Sequence, residues 1–146
     1  MNKWHVPSDN CLICKGPQEV VIGVRERGPW ERQHSYTRVL FCSACDVGEL
    51  RAFDYDDFVV FEEEDDVMVW SSVMVTADVD QLRSIFACSS PLDHTCECAQ
   101  HVRAYDTSVK ANKTRLPEYG SHRHSPVGRT TVTVRTVDGL AEFVPA

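Results

Sequence analysis

The stretch DNCLICKGPQEVVIG (residues 9–23), with its echo FCSACDVGEL (residues 41–50), decides how the first third of this chain can fold. Each holds two cysteines separated by two residues, Cys11-x-x-Cys14 and Cys42-x-x-Cys45. That spacing lets one tight turn present both sulfurs to a single ion. Gly16 after the first pair, and the small Ser43 and Ala44 inside the second, ease such turns. A thioredoxin-like redox site instead needs one CxxC at a helix N-terminus, and both pairs adjoin strand-like sequence. The chain has seven cysteines, an odd number that fits a complete disulfide set badly. Four thiolates from two turns are therefore read as one closed tetrahedral metal site.

Strand signals lie on both sides of these pairs. EVVIGVRE (Glu19 to Glu26) is β-branched, and YTRVLFC (Tyr36 to Cys42) alternates apolar and polar residues into the second pair. Two cysteine turns at strand ends, clamping an ion between hairpins, resemble the zinc ribbon family through Cys11, Cys14, Cys42 and Cys45. The resemblance covers residues 10–50 and implies a structural zinc.

Beyond it, GELRAFD and DDFVVF read as further strands, EEEDD (Glu62 to Asp66) as a solvated turn, and VMVWSSVMV (Val67 to Val75) as a buried strand. TADVDQLRSIFAC carries helix signals: Thr76 or Asp78 can cap it, and Val79, Leu82, Ile85 and Phe86 share a face. RTTVTVRTV (Arg129 to Val137) is a strongly alternating strand, and Asp138-Gly139 turns it into LAEFV. The expected fold is α+β, a strand-rich antiparallel sheet with one main helix at about 76–88 and a zinc-ribbon-like N-terminal element. One domain, 1–146, holds the ribbon-like 10–50, an acidic and helical 51–105, a basic loop 106–128 and a C-terminal hairpin 129–146.

A second cluster follows the helix. Cys88, Cys96, Cys98 and His101 would make a Cys3His zinc site. The competing reading is buried thiols, with Cys88 on the helix's core face. One zinc is expected, with two possible. His94 could serve as a catalytic base only if a zinc kept an open position. His122 and His124 are read as an exposed loop.

Charge is uneven. The formal net charge is −7, yet residues 46–80 hold twelve acids against one base, while 101–135 hold seven bases against two acids. No catalytic motif is present. The expected function is a non-enzymatic zinc protein that binds a basic partner through Asp54, Asp56, Asp57, Glu62, Glu63, Glu64, Asp65 and Asp66, beside Phe53, Tyr55, Phe58, Phe61 and Trp70. In general character this resembles bacterial immunity proteins, which mask basic toxin clefts with carboxylates. One alternative is nucleic-acid association, through the ribbon and Lys110, Lys113, Arg115, Arg123 and Arg129, which the net charge opposes. The other is a metalloenzyme built on His94, His101 or the His122/His124 pair. The sequence shows no secretory leader and no apolar run of membrane-spanning length, so a cytoplasmic location is expected.

Overall fold

The computed structural model describes residues 9–30, 33–56, 67–112, 118–119 and 130–146. Strands β1 (Glu19–Trp30), β2 (Gln33–Cys42), β3 (Val47–Asp56) and β4 (Val67–Val75) form an antiparallel meander. Helix α1 (Thr76–Ile85) follows β4 directly, and α2 (Ala99–Asn112) follows a loop. The two-residue β5 (Glu118–Tyr119) pairs with β4. β6 (Thr130–Val137) and β7 (Leu140–Pro145) close the chain as a hairpin.

The strand path is β1-β2-β3-β4-β6-β7, curled into a half-barrel. β6 runs parallel to β4, because the chain crosses back through both helices before pairing again. Among the described residues that junction has two register pairs, Ser72↔Thr130 and Val73↔Thr131. It is reinforced by a 2.9 Å hydrogen bond between the Ser72 and Thr130 hydroxyls.

Alternation sorts the sheet into two faces. On the helix-bearing face, register aligns Ile22, Val39 and Leu50, which join Met74, Val79, Leu82, Phe86, Val132 and Phe143 in the main core. Gly48 lies on this face where α1 approaches most closely, and a Cβ there would stand 2.4 Å from Val79 Cγ2. The opposite face carries Leu40, Arg38 and Tyr36 of β2 against Glu49, Arg51 and Phe53 of β3. Arg51 is fully buried and Glu49 almost so.

These findings correct the expected fold class. The sheet is mixed, not antiparallel. There are two helices among the described residues, and the first ends at Ile85, where Phe86 turns extended. No separate zinc-ribbon-like element is shown among the described residues: Cys11 and Cys14 lie in the segment before β1, not on a hairpin, and the β2–β3 hairpin that carries Cys42 and Cys45 belongs to the main sheet, with β3 running unbroken past residue 50 to pair with β4. Helix α2 replaces the start of the expected basic loop. Its buried stripe is His101, Ala104, Ser108 and Ala111, spaced three, four and three apart. That is helical spacing, but small and polar residues hide it from hydropathy. The strand expected over DDFVVF and the Glu62 to Asp66 turn lie outside the described residues.

Candidate metal centres

The first centre joins the segment before β1 to the turn between β2 and β3. Cys11, Cys14, Cys42 and Cys45 place their sulfurs within 4.8 Å of one another. Cys14 Sγ stands 3.6 Å from Cys42 Sγ, and Cys11 Sγ 3.9 Å from Cys45 Sγ. Four sulfurs about 2.3 Å from a tetrahedral zinc would be separated by about 3.8 Å, and both contacts match that edge length. None of the seven cysteines is in a disulfide.

Both turns share a backbone solution. The residue after each second cysteine is left-handed, Lys15 at φ 66° and Asp46 at φ 56°. Amides within both turns fold back on sulfur: Ile13 N donates to Cys11 Sγ and Cys45 N to Cys42 Sγ, and Gly16 N, just after the left-handed Lys15, donates to Cys14 Sγ, each at 3.4 Å. The left-handed position is thus Lys15, one before the Gly16 that sequence singled out. Hydrogen bonds from Cys14 and its neighbouring thiols, together with burial, push the Cys45 thiol up to about 12. A divalent cation held by the four sulfurs would instead favour their thiolate forms.

The segment that carries Cys11 and Cys14 also covers the second face of the sheet. The Arg38 guanidinium donates to both Asp9 carboxylate oxygens at 2.8 and 2.9 Å, and Arg51 donates to the Asn10 carbonyl at 2.9 Å. Gln18 donates to the Asp9 carbonyl and to Glu49. Beneath this strap, Arg51 binds Glu49 through two bonds of 2.7 and 2.9 Å, and Ser71 donates to Glu49 at 2.7 Å. Burial pushes the Glu49 carboxyl up, but the Arg51 charge and the hydrogen bonds from Arg51, Ser71 and Gln18 outweigh it and hold it below the usual range.

The second centre closes the loop between the helices. Cys88, Cys96, Cys98 and His101 also bring four ligand atoms within 4.8 Å. Cys88 Sγ lies 3.8 Å from Cys96 Sγ, and Cys98 Sγ 3.3 Å from His101 Nδ1. For Zn–S and Zn–N of about 2.3 and 2.0 Å, the second edge of a tetrahedron is about 3.5 Å. Cys98 immediately precedes α2 and caps it, accepting the His101 amide at 3.4 Å. Burial pushes its thiol up, but hydrogen bonds from the His101 amide and ring and from Cys96 and Cys88 win and lower it to about 6. That lowering favours the Cys98 thiolate, the form that binds metal.

This loop seals the free edge of β1. Gly23 N donates to the Pro91 carbonyl at 3.0 Å and Glu26 N to the His94 carbonyl at 3.3 Å. Gly23 is needed for the approach, because a Cβ there would lie 2.8 Å from the Leu92 carbonyl oxygen. The loop's own turns are tied by Asp93, which accepts from the Thr95 amide and hydroxyl at 3.0 and 2.6 Å.

The remaining expected site residues divide. His94 stands outside both quartets, its Nε2 3.6 Å from the Glu26 carboxylate. Asp54 lies on β3 and lines a cleft against α2. Asp56 ends β3. Asp57, Glu62, Glu63, Glu64, Asp65, Asp66, His122 and His124 lie outside the described residues. Sequence reasoning missed the polar layer of Arg38, Glu49 and Arg51; the charged alternation of GELRAFD was its one signal. No described helix is long and apolar enough to cross a membrane. No family model matches the chain, and no similar curated protein or solved structure was found.

Proposed function

We propose that this chain is a zinc-stapled binding protein and not an enzyme, docking a basic protein partner through its acidic middle. Neutralisation of a bacterial toxin is the task this chemistry fits. The observation that carries the reading is that each metal group brings four protein donors. Thiolate-rich tetrahedral donor sets favour zinc, and four protein ligands leave no position for a reacting water. A structural zinc binds zinc-finger peptides with about 10–16 kcal/mol of apparent free energy at neutral pH, comparable to the whole stability of a typical domain. Such ions serve here as fasteners for the strap over one face and the loop along one edge. The excess of acids between residues 46 and 80 supports a basic partner, since opposite fields speed docking and set its orientation.

The expected metal content is two zinc ions per chain, one in the Cys96→Ser variant. X-ray absorption should give four-coordinate sulfur-rich zinc; a bound water in the coordination sphere would overturn the non-enzymatic reading. For the partner, a basic toxin encoded beside this chain is the first probe. Replacing Glu62, Glu63 and Glu64 by lysine should weaken that complex by roughly a hundredfold at low salt while zinc content is unchanged. Undiminished binding would overturn the acidic-face reading.

A further inference from the structure

We propose that the cleft between the helix-bearing face of the sheet and α2 binds a small molecule with a flat ring at one end and an anionic group at the other. The cleft measures about 350 Å³, within the usual range for small-molecule sites. Cross-strand register builds its floor from two rows. Arg25 of β1 lies opposite Thr37, which lies opposite Ala52, which lies opposite Trp70. The next row is Arg27, Ser35 and Asp54. Tyr105 of α2 forms the facing wall, with the Arg25 guanidinium 4.3 Å from its ring centre.

The contrast between the two faces of the sheet carries the argument. On the opposite face Arg38 is held by Asp9 and Glu26, and Arg51 by Glu49. In the cleft, neither Arg25 nor Arg27 has a carboxylate partner among the described residues, although the chain has 22 acids to offer. Among the same residues, the Ser35 and Thr37 hydroxyls are not spent on side-chain hydrogen bonds either. Two guanidinium groups and two hydroxyls thus line the β1–β2 side of the cleft, Asp54 lines it from β3, and Trp70 supplies an aromatic plane on β4. Guanidinium pairs recognise phosphate and carboxylate by charge-assisted hydrogen bonds, and rings stack on aromatic planes.

Three strand spacings separate β1 from β4, about 14 Å. After the inward reach of the side chains, several ångströms remain between anion and ring. A mononucleotide has that layout, with a sugar as spacer; an aryl carboxylate is the shorter version of the same chemistry.

The test is titration of the zinc-loaded full chain, followed by tryptophan fluorescence and calorimetry. The probes are the four 5′-ribonucleoside monophosphates, with the nucleosides and ribose 5-phosphate as controls, and indole-3-acetate in a parallel arm. Saturable binding tighter than about 1 mM is expected for at least one mononucleotide or for indole-3-acetate, with the ring-free and anion-free controls weaker by roughly tenfold or more. Which arm binds distinguishes phosphate from carboxylate as the anion. Arg27→Gln should weaken binding by roughly tenfold, and Ala52→Leu, which fills the floor without touching charge, should abolish it. Zinc content and amide protection check that each variant is folded. No saturable binding of any probe by the native chain, or binding that Arg27→Gln and Ala52→Leu leave intact, overturns the proposal.

Discussion

At the scale of single residues, the pair Glu49 and Arg51 sets the sharpest expectations. Two residues apart on one strand, they share a face and a bidentate bond in near-complete burial. Removing one partner leaves a buried charge uncompensated, so Arg51→Met should cost about 3–5 kcal/mol in urea unfolding. The Glu49 carboxyl is held below its ordinary range, so it takes up its proton more readily unfolded than folded. Its contribution is complete above the ordinary carboxyl value near 4.3 and is lost as pH falls through the lower folded value. Stability measured against pH should therefore show an acid step that Glu49→Gln reduces. The spacing of the first cysteine quartet was legible because two residues between thiols is a geometric requirement of the ion. The layer beneath it was not, because a charged pair on a strand reads as solvent-facing until a strap is laid over it. Lys15 was equally hidden, since lysine carries no sign of the left-handed conformation it adopts.

At the scale of elements, two glycines mark where pieces meet. Gly48→Ala should drive β3 and α1 apart, at a cost of about 1–3 kcal/mol readable by thermal unfolding. Gly23→Ala should instead loosen the loop of the second centre from β1, with less effect on the core. Metal removal from that centre makes the same distinction. In Cys98→Ser, hydrogen exchange at the Gly23 and Glu26 amides should accelerate, since both donate to carbonyls of that loop. Amides in the middle of β2 should keep their protection. The strands around the core were readable by alternation and β-branching. Helix α2 was not: its inner stripe is His101, Ala104, Ser108 and Ala111, and Asp106 and Thr107 interrupt it with residues that favour turns. The spacing between Cys98 and His101 was its one advertisement, because three residues on a helix turn bring both ligands to one side.

At the scale of the whole molecule, the two four-ligand groups sit at different places. The first joins segment 9–18, which lies across one face, to the β2–β3 turn, and the second joins the interhelical loop, which lies along one edge, to α2. A loss at either should be partial: Cys45→Ser should retain the second ion and the hydrogen-exchange protection of α2. Global unfolding of that variant would show that the two halves are not separable.

The parallel junction between β4 and β6 has a consequence in time. Ser72 and Thr130 are 58 positions apart, so the chain must close a long excursion before two register pairs can reward it. The second quartet lies inside that excursion and shortens it when it coordinates. Refolding started by dilution from denaturant should thus be biphasic, an early meander followed by slower docking of the terminal hairpin. Added zinc should speed the slow phase in the native chain and leave it unchanged in Cys98→Ser.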